Sequence, residues 1–183
     1  WSGQVAWDLL QQLAAYYRPL EREEGEVDAL YQRFVARLLE ELGRPQKTGL
    51  GGLLELRRAG QRLFDLLDEA GRAFAHLERP APDLRTVLLS GDIYVRVDEF
   101  AGDKLIRRLN ERGLRVLLEP TSTFVEYAAE EGISELVTVP EGLVERYLHH
   151  RAMQDLRRAL YARVQAHHPW LPLHDAAELI AAA

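Results

Sequence analysis

The residues best suited to chemistry in this 183-residue chain lie in one stretch, Ser90-Gly91-Asp92-Ile93-Tyr94-Val95-Arg96-Val97-Asp98. Gly91 permits a tight turn or a positive φ angle, while Asp92 and Arg96 supply a carboxylate and a guanidinium. The stretch follows an apolar run typical of a buried parallel strand, Thr86-Val87-Leu88-Leu89. Because ligands of open α/β sheets bind beyond the carboxyl ends of the strands, we expect a polar ligand here.

Two further strand-end positions extend the predicted site. A second apolar strand, Leu114–Leu118, ends shortly before Thr121 and Ser122, and Asp103 precedes a short helix whose first N–H groups can face an anion. Parallel strands end at the same edge of a sheet, so these side chains are expected together. The predicted ligand-binding set is Gly91, Asp92, Tyr94, Arg96, Asp103, Thr121 and Ser122.

A purely structural interpretation of the same residues stays open. Apolar and polar residues alternate from Ile93 to Asp98, as in a half-buried extended segment. An ion pair between Arg96 and a neighbouring aspartate would tie the loop down, and Ser122 would cap its helix. Polar residues at strand ends often serve turns and caps, so both interpretations are carried forward.

The elements that would position these residues are helices around a small sheet. Apolar residues recur at helical spacing before Glu78-Arg79-Pro80-Ala81-Pro82-Asp83, which breaks the pattern. Beyond it, the two strands enclose a helix around Leu105–Leu109 and form a βαβ unit. A helix over about residues 123–131 and a short third strand, Leu136–Val139, follow, and helical spacing returns from Glu141.

We therefore predict an α/β fold, a small parallel sheet of βαβ type, Rossmann- or flavodoxin-like, flanked by N- and C-terminal helices. Its parts are a helical lead-in over residues 1–78, the α/β module over residues 84–140 and a C-terminal helical segment over residues 141–183, packed as one compact unit. The first residue is Trp1 rather than methionine, which indicates a fragment of a larger protein.

Charge and composition argue against several functions. The net charge of −6 is unfavourable for nucleic acid, whose phosphates need a basic face. No apolar run has the length of a membrane span, so we expect a cytoplasmic protein without a membrane partner. The chain has no cysteine, which rules out thiolate zinc sites and thiolate-held iron–sulfur clusters within it.

No catalytic set of residues is recognisable, and no metal site is expected. Neighbouring histidines such as His149-His150 point about 100° apart on a helix and cannot easily share one metal ion. Acid pairs such as Glu40-Glu41 lie on polar helix faces, where solvated carboxylates are ordinary.

A set of colinear motifs carries a family resemblance. Gly91-Asp92-Ile93-Tyr94-Val95-Arg96 is followed by Phe100, Asp103, Leu109, Gly113, Ser122, Phe124 and Tyr127, and preceded by Trp1–Ala6, Asp8–Leu10, Tyr17–Pro19 and Gly25–Tyr31. In order and spacing, these motifs resemble the CoA-substrate-specific enzyme activases, large proteins related to 2-hydroxyacyl-CoA dehydratases. The resemblance covers roughly residues 1–130. The chain departs from the family pattern with Asp92 in place of a common glutamate, Val97-Asp98-Glu99 in place of a proline-containing turn, Asp103 in place of an asparagine, and Thr123-Phe124 in place of glutamate-tryptophan.

The resemblance implies a function that depends on other segments. Such proteins combine ATP-hydrolysing activator modules with dehydratase-like modules that use an iron–sulfur centre on CoA thioesters. This chain has no cysteine ligands and no G-x-x-x-x-G-K-[ST] loop. We expect a dehydratase-like module that is not an enzyme alone, and that supports or lines an acyl-CoA or redox site completed by other segments. The parent resembles an ATP-dependent activase or acyl-CoA dehydratase-type enzyme, and its iron–sulfur cluster and ATP would be bound elsewhere.

A protein-interaction module is the alternative function. Its partners would be other domains of the parent, the ATPase activator or dehydratase subunits. Trp1, Trp7 and Trp170 would anchor such a partner if they were exposed, although we expect them to be buried over the sheet.

Overall fold

A computed structural model describes residues 1–44, 49–78, 84–98, 100, 102, 104–135 and 143–173. Two parallel strands, β1 (Thr86–Leu89) and β2 (Arg115–Leu118), form its sheet. The helices are, in chain order, α1 (Ser2–Tyr17), α2 (Glu26–Leu42), α3 (Gly49–Ala75), α4 (Ile93–Val97), α5 (Leu105–Glu111), α6 (Thr121–Glu135) and α7 (Leu143–Gln165). A 3-10 turn, Arg18–Leu20, follows α1. The described part is therefore mostly helical, with a small parallel sheet of α/β character.

The predicted parallel pairing of the two strands is confirmed. Thr86 lies opposite Arg115 and Leu89 opposite Leu118, with α4 and α5 in the connection between the strands. The predicted third strand, Leu136–Val139, lies outside the described residues, as does the predicted last helical turn after Asp175. Within the described part the sheet has two strands, and Leu88 of β1 is 65% exposed.

One expectation about the loop after β1 is wrong. The structural interpretation described Ile93 to Asp98 as a half-buried extended segment, whereas Ile93–Val97 forms the short helix α4. Asp92 accounts for the difference, because its Oδ1 accepts a hydrogen bond from the backbone N–H of Tyr94 at 2.9 Å and so supports the first turn.

Helix α1 is the central element of the fold. It contacts α2, α3, α6, α7 and β2, so its apolar residues are covered on nearly every side. Its side chains with no exposed surface are Val5, Ala6, Leu9, Leu10 and Leu13. A helix that is apolar nearly all round belongs in a core, and this one is the core of the described part.

The outer helices and the sheet pack on α1 through two clusters. Phe34 of α2, Phe74 of α3 and Tyr161 of α7 are fully buried in the larger cluster. The sheet has a smaller cluster of its own, in which Val116 and Leu118 pack against Ala15 of α1. The sheet and the strand-end loops are thus held against a helix that the rest of the chain fixes.

No helix within the described ranges combines the length and the apolar composition that crossing a bilayer requires.

Candidate ligand-binding site

The loop after β1 begins with the glycine turn that the sequence predicts. Gly91 has a φ of 118°, a conformation that side-chain-bearing residues rarely adopt. Asp92 then supports the start of α4, and Tyr94 is 75% exposed. The turn therefore places α4 directly after β1, at the sheet edge where α/β proteins bind ligands.

Arg96 ties the two strand ends together. Its side chain is 6% exposed, its Nε donates to the carbonyl of Gly91 at 2.9 Å, and its Nη1 donates to the carbonyl of Glu119. Ser90 Oγ also donates to Glu119 Oε2 at 2.6 Å. Arg96 holds the loop in place, as the structural interpretation expected. Its main partners are two backbone carbonyls and the Glu119 side chain rather than an aspartate.

Thr121 and Ser122 lie at the start of α6, where their backbone N–H groups are bonded to Asp8 of α1. Oδ1 of Asp8 accepts from the N–H of Thr121 at 3.1 Å and from its hydroxyl at 2.5 Å. Oδ2 accepts from the N–H of Ser122 at 2.8 Å. Asp8 is 2% exposed, so a protein carboxylate occupies the position of an anion at this helix end.

An apolar cavity of about 650 Å³ lies between the loop and α6. It brings together four of the predicted residues, Gly91, Asp92, Tyr94 and Arg96. Phe124 and Tyr127 form the opposite wall and are 58% and 45% exposed. Aromatic surface of this extent around a concave site suits an apolar ligand group. We refer to this site as the apolar cavity.

A second cavity, of about 230 Å³, lies on the other side of Arg96, between α1, α4 and α5. Its lining includes four cationic side chains, those of Arg18, Arg96, Lys104 and Arg107. Asp98 is the acidic residue of the lining. We refer to this site as the cationic cavity. Asp103, which was predicted to belong to the ligand-binding set with Gly91 and Arg96, falls outside the described residues.

Asp28 of α2 holds two of these arginines in place. Its Oδ1 accepts from Nε and Nη2 of Arg18 at 3.1 and 2.7 Å, and its Oδ2 accepts from Arg107 at 2.9 Å. Burial alone would raise the pKa of Asp28, but the hydrogen bonds and charges of Arg18 and Arg107 outweigh it and lower the pKa. One carboxylate is therefore shared by two guanidinium groups.

Lys104 has an unusual backbone. Its φ of 52° and ψ of 34° place it in the left-handed region, at the N-cap position of α5. Among the described residues it is the one non-glycine residue with a positive φ. Such conformations cost free energy and recur at binding sites, and this one lies in the lining of the cationic cavity.

A buried polar cluster behind the apolar cavity was not predicted. Arg157 of α7 donates to Glu126 of α6, with side chains 4% and 2% exposed, and its Nη2 lies 3.4 Å from Thr123 Oγ1. Tyr161 accepts from Gln12 at 3.3 Å, and burial raises its pKa to about 12, which keeps it neutral. Thr123 also lines the apolar cavity, so the cluster supports one of its walls.

Two histidines just after α7, His167 and His168, have structural partners. His168 is fully buried, with Nε2 2.8 Å from the carbonyl of Gly71 and Nδ1 3.0 Å from the hydroxyl of Tyr17. Because a carbonyl only accepts, Nε2 carries the proton and Tyr17 donates to Nδ1. His167 Nε2 lies 2.9 Å from Asp68. In the part of the chain described, no three histidine, aspartate or glutamate side chains are grouped to hold a metal ion.

Some of these partners were accessible to sequence reasoning and others were not. Asp8 is a carboxylate inside the apolar run Ala6-Trp7-Asp8-Leu9-Leu10. A carboxylate in such a run indicates a buried hydrogen-bond partner, although the sequence does not show which residue that partner is. Glu119, Glu126 and Arg157 carry no comparable signal, because each lies in a segment with ordinary charge content.

Comparison of the chain with protein-family models, with curated proteins and with solved structures finds no match. The family resemblance therefore rests on the sequence motifs alone.

Proposed function

We propose that the chain is a dehydratase-like module that lines an acyl-CoA site completed by other segments of a larger protein. The observation that carries the proposal is the position of Arg96, whose side chain lies between the apolar cavity and the cationic cavity. An acyl-CoA has an apolar acyl end and a phosphate-bearing nucleotide end, so adjacent apolar and cationic cavities match its two halves.

The location of the cavities supports the same proposal. They flank the loops that follow β1 and β2, at the carboxyl edge of a parallel sheet, where ligands of Rossmann-like proteins bind. We include a Rossmann-like sheet in the proposal, because the unit of β1, α5 and β2 is the repeat from which such sheets are built.

The exposed aromatic side chains favour the apolar cavity for the acyl end. Tyr94 and Phe124 are both more than half exposed on opposite walls. Large aromatic surfaces left open around a concave site gain free energy when an apolar group covers them. Arg96 holds the loop that carries Tyr94, so it is a positioning residue in this proposal.

The proposal is tested by titrating the chain with CoA and with acyl-CoAs of increasing chain length. Binding is expected to be weak, because other segments complete the site, so NMR chemical-shift titration is the suitable measurement. Affinity should rise about fourfold for each methylene that enters the apolar cavity. Full-length parent protein should bind the same ligands more tightly.

Two aromatic variants locate the binding. Tyr94→Ala and Tyr127→Ala should reduce the gain from longer acyl chains, whereas Tyr147→Ala, an exposed tyrosine on α7, should not. If acyl-CoAs bound no better than CoA, or if Tyr147→Ala weakened binding as much as Tyr94→Ala, the proposal would be wrong.

A docking function is the second candidate, and exposed leucines favour it. Four leucines at the end of α2 and the start of α3 are more than half exposed: Leu39, Leu42, Leu54 and Leu56. The three tryptophans, which were expected to be buried over the sheet, are half-buried and pack against the core cluster, so they are weak anchors for a partner. Leu54→Glu with Leu56→Glu should abolish co-elution with the parent's other domains if docking uses this surface.

A further inference from the structure

We infer that Tyr17 of α1 and His168, just after α7, form a redox-active pair. In this pair the ring of Tyr17 gives one electron to an oxidant at the protein surface, while its phenolic proton moves to Nδ1 of His168. The oxidant is a radical or a high-potential metal complex, which removes an electron without entering a binding pocket. The inference concerns the interior between α1 and α3 and does not rest on the proposed function.

The hydroxyl of Tyr17 is hydrogen-bonded to a base. Tyr17 is 2% exposed, and its Oη donates to Nδ1 of His168 at 3.0 Å. His168 is fully buried, and its Nε2–H donates to the carbonyl of Gly71 at 2.8 Å, which leaves the lone pair of Nδ1 directed at Tyr17. A phenol ring that has lost an electron is a far stronger acid than phenol, and away from solvent its proton needs a side chain as acceptor. A neutral imidazole at hydrogen-bond distance is such an acceptor.

Atoms, charges and electrons balance between the pair and the oxidant. The Oη–H bond of Tyr17 breaks, an N–H bond forms at Nδ1 of His168, and one electron reduces the oxidant. The products are a neutral phenoxyl radical and an imidazolium whose Nε2–H keeps its bond to Gly71. No proton has to cross the protein to solvent, so the return of one electron to the ring reverses both movements.

The charge of Glu78 favours the oxidised pair. Burial lowers the pKa of His168 most, and His167 acts in the same direction, so an imidazolium here is costly. The Glu78 carboxylate acts against them and raises that pKa. Burial also raises the pKa of Tyr17, and the charge of Glu78 adds to this effect. A negative charge near both groups makes it easier to remove an electron from the ring and to place a positive charge on the imidazole.

Trp170 connects the pair to the less buried part of the aromatic cluster. It is half-buried, its ring centroid lies 6.2 Å from that of Tyr17, and it stacks on Tyr16 at 3.5 Å. Electrons pass readily between rings this close, because electronic coupling falls steeply with distance. The guanidinium of Arg115 lies 4.4 Å from the ring centroid of Tyr16, and its positive charge disfavours oxidation of that ring. We therefore expect an oxidised Trp170 to take its electron from Tyr17 rather than from Tyr16.

Tyr161 of α7 is the matched internal control. It is fully buried, like the pair, but its hydroxyl accepts a hydrogen bond from the amide of Gln12 at 3.3 Å. The guanidinium of Arg157 lies 5.3 Å from its ring centroid. These neighbours donate hydrogen bonds and add positive charge, so they oppose the loss of a proton and an electron from Tyr161.

The experiment oxidises the whole chain with photogenerated tris(bipyridine)ruthenium(III) and records electron paramagnetic resonance spectra after the flash. We expect a long-lived tyrosyl radical, because a buried radical is shielded from the reactions in solution that remove radicals of exposed tyrosines such as Tyr147. High-field spectra of the unmodified chain should show a hydrogen bond to the phenoxyl oxygen. The radical should form more slowly in D₂O than in H₂O, because a proton moves with the electron.

Three variants assign the radical. Tyr17→Phe should lose the long-lived signal, whereas Tyr161→Phe should keep it. His168→Gln should form the radical roughly a hundredfold more slowly, because the glutamine amide accepts a hydrogen bond but does not take up a proton. Circular dichroism at neutral pH establishes that each variant is folded.

The opposite results would overturn the inference. A long-lived signal that survives in Tyr17→Phe, or one that Tyr161→Phe loses, places the radical elsewhere. Equal rates in H₂O and D₂O for the unmodified chain also contradict the inference, and this measurement needs no variant to fold. A radical that forms in His168→Gln as fast as in the parent chain shows that the imidazole is not the proton acceptor. Absence of acyl-CoA binding changes none of these results, so the inference and the proposed function fail separately.

Discussion

Asp8 in α1 accepts two hydrogen bonds from Thr121 at the start of α6, from the backbone N–H at 3.1 Å and from the hydroxyl at 2.5 Å. A third bond, from the N–H of Ser122, uses the other carboxylate oxygen. A helix start is usually capped by a residue beside it in sequence. Here the cap comes from a residue 113 positions earlier in the chain, in α1, and it fixes α6 to the core.

Replacing Asp8 by asparagine should destabilise the protein. Asp8→Asn keeps the shape but removes the negative charge and one acceptor, so the N–H of Thr121 or Ser122 loses its bond inside the protein. The free energy of unfolding should fall by roughly 1–3 kcal/mol, measured by urea denaturation. Asp65→Asn, at an exposed position of α3, should change it by less than about 0.5 kcal/mol. Equal effects at the two positions would contradict the capping role.

The ion pair of Glu126 and Arg157 should show strong coupling. Each single change, Glu126→Gln or Arg157→Met, leaves a buried charge without its opposite charge and should cost about 3–5 kcal/mol. The double variant should cost less than the sum of the two, because no charge is then buried there. The pair Asp155 and Arg158 on α7, 66% and 47% exposed, is the control and should couple by less than about 1 kcal/mol. Additive effects at the buried pair would rule this coupling out.

The buried His168 should make stability depend on pH. Burial lowers its pKa most, and the neighbouring His167 acts in the same direction, while the bond to Gly71 and the charge of Glu78 oppose them. The unfolded chain then binds a proton that the folded chain does not, so stability is full above about pH 6.5 and falls as pH decreases through the lowered pKa.

We expect His168→Gln to flatten this dependence. The measurement is the free energy of unfolding between about pH 7 and pH 5, where an unperturbed histidine titrates. His76→Gln, at an exposed histidine of the turn after α3, should keep the slope of the parent protein. The same slope in His168→Gln as in the parent would show that another group causes the dependence.

Lys104→Gly should stabilise the protein. A residue with a side chain in the left-handed region is strained, and glycine removes that strain, although it also adds freedom to the unfolded chain. We expect the net gain to be up to about 1 kcal/mol, measured by thermal or urea unfolding. Lys104→Ala should not show the gain, because alanine carries the same Cβ. A loss of stability in Lys104→Gly would mean that the lysine side chain contributes more than its backbone costs.

Local patterns in the sequence were sufficient for much of the fold. The apolar spacing of α2 predicts a helix that stops at Gly43, and the structure ends it at Leu42. A glycine, Gly113, follows the predicted helix between the strands, and its φ of 75° closes the chain after α5. Parallel pairing followed from the presence of a helix between two apolar runs. These features depend on residues close together in the chain.

Of the parts that were missed, one depends on a local side-chain contact and the other on residues far apart in the chain. Alternation from Ile93 to Asp98 favoured an extended segment, but the Asp92 side chain supports a helical turn that alternation does not reveal. The sequence placed Thr121 and Ser122 at the correct strand end. It gave no sign that Asp8 binds their N–H groups, because no local rule pairs a residue with one so distant.

The central position of α1 has a consequence for synthesis of the protein. Gln12 of α1 bonds Tyr161 of α7, 149 residues later in the chain. During translation α1 leaves the ribosome before α7, so the apolar surface of α1 stays uncovered, or bound to a chaperone, until α7 is synthesised. Slow translation prolongs the time for which the apolar surface of α1 is uncovered. Rare codons before α7 should therefore reduce the soluble yield more than rare codons after it.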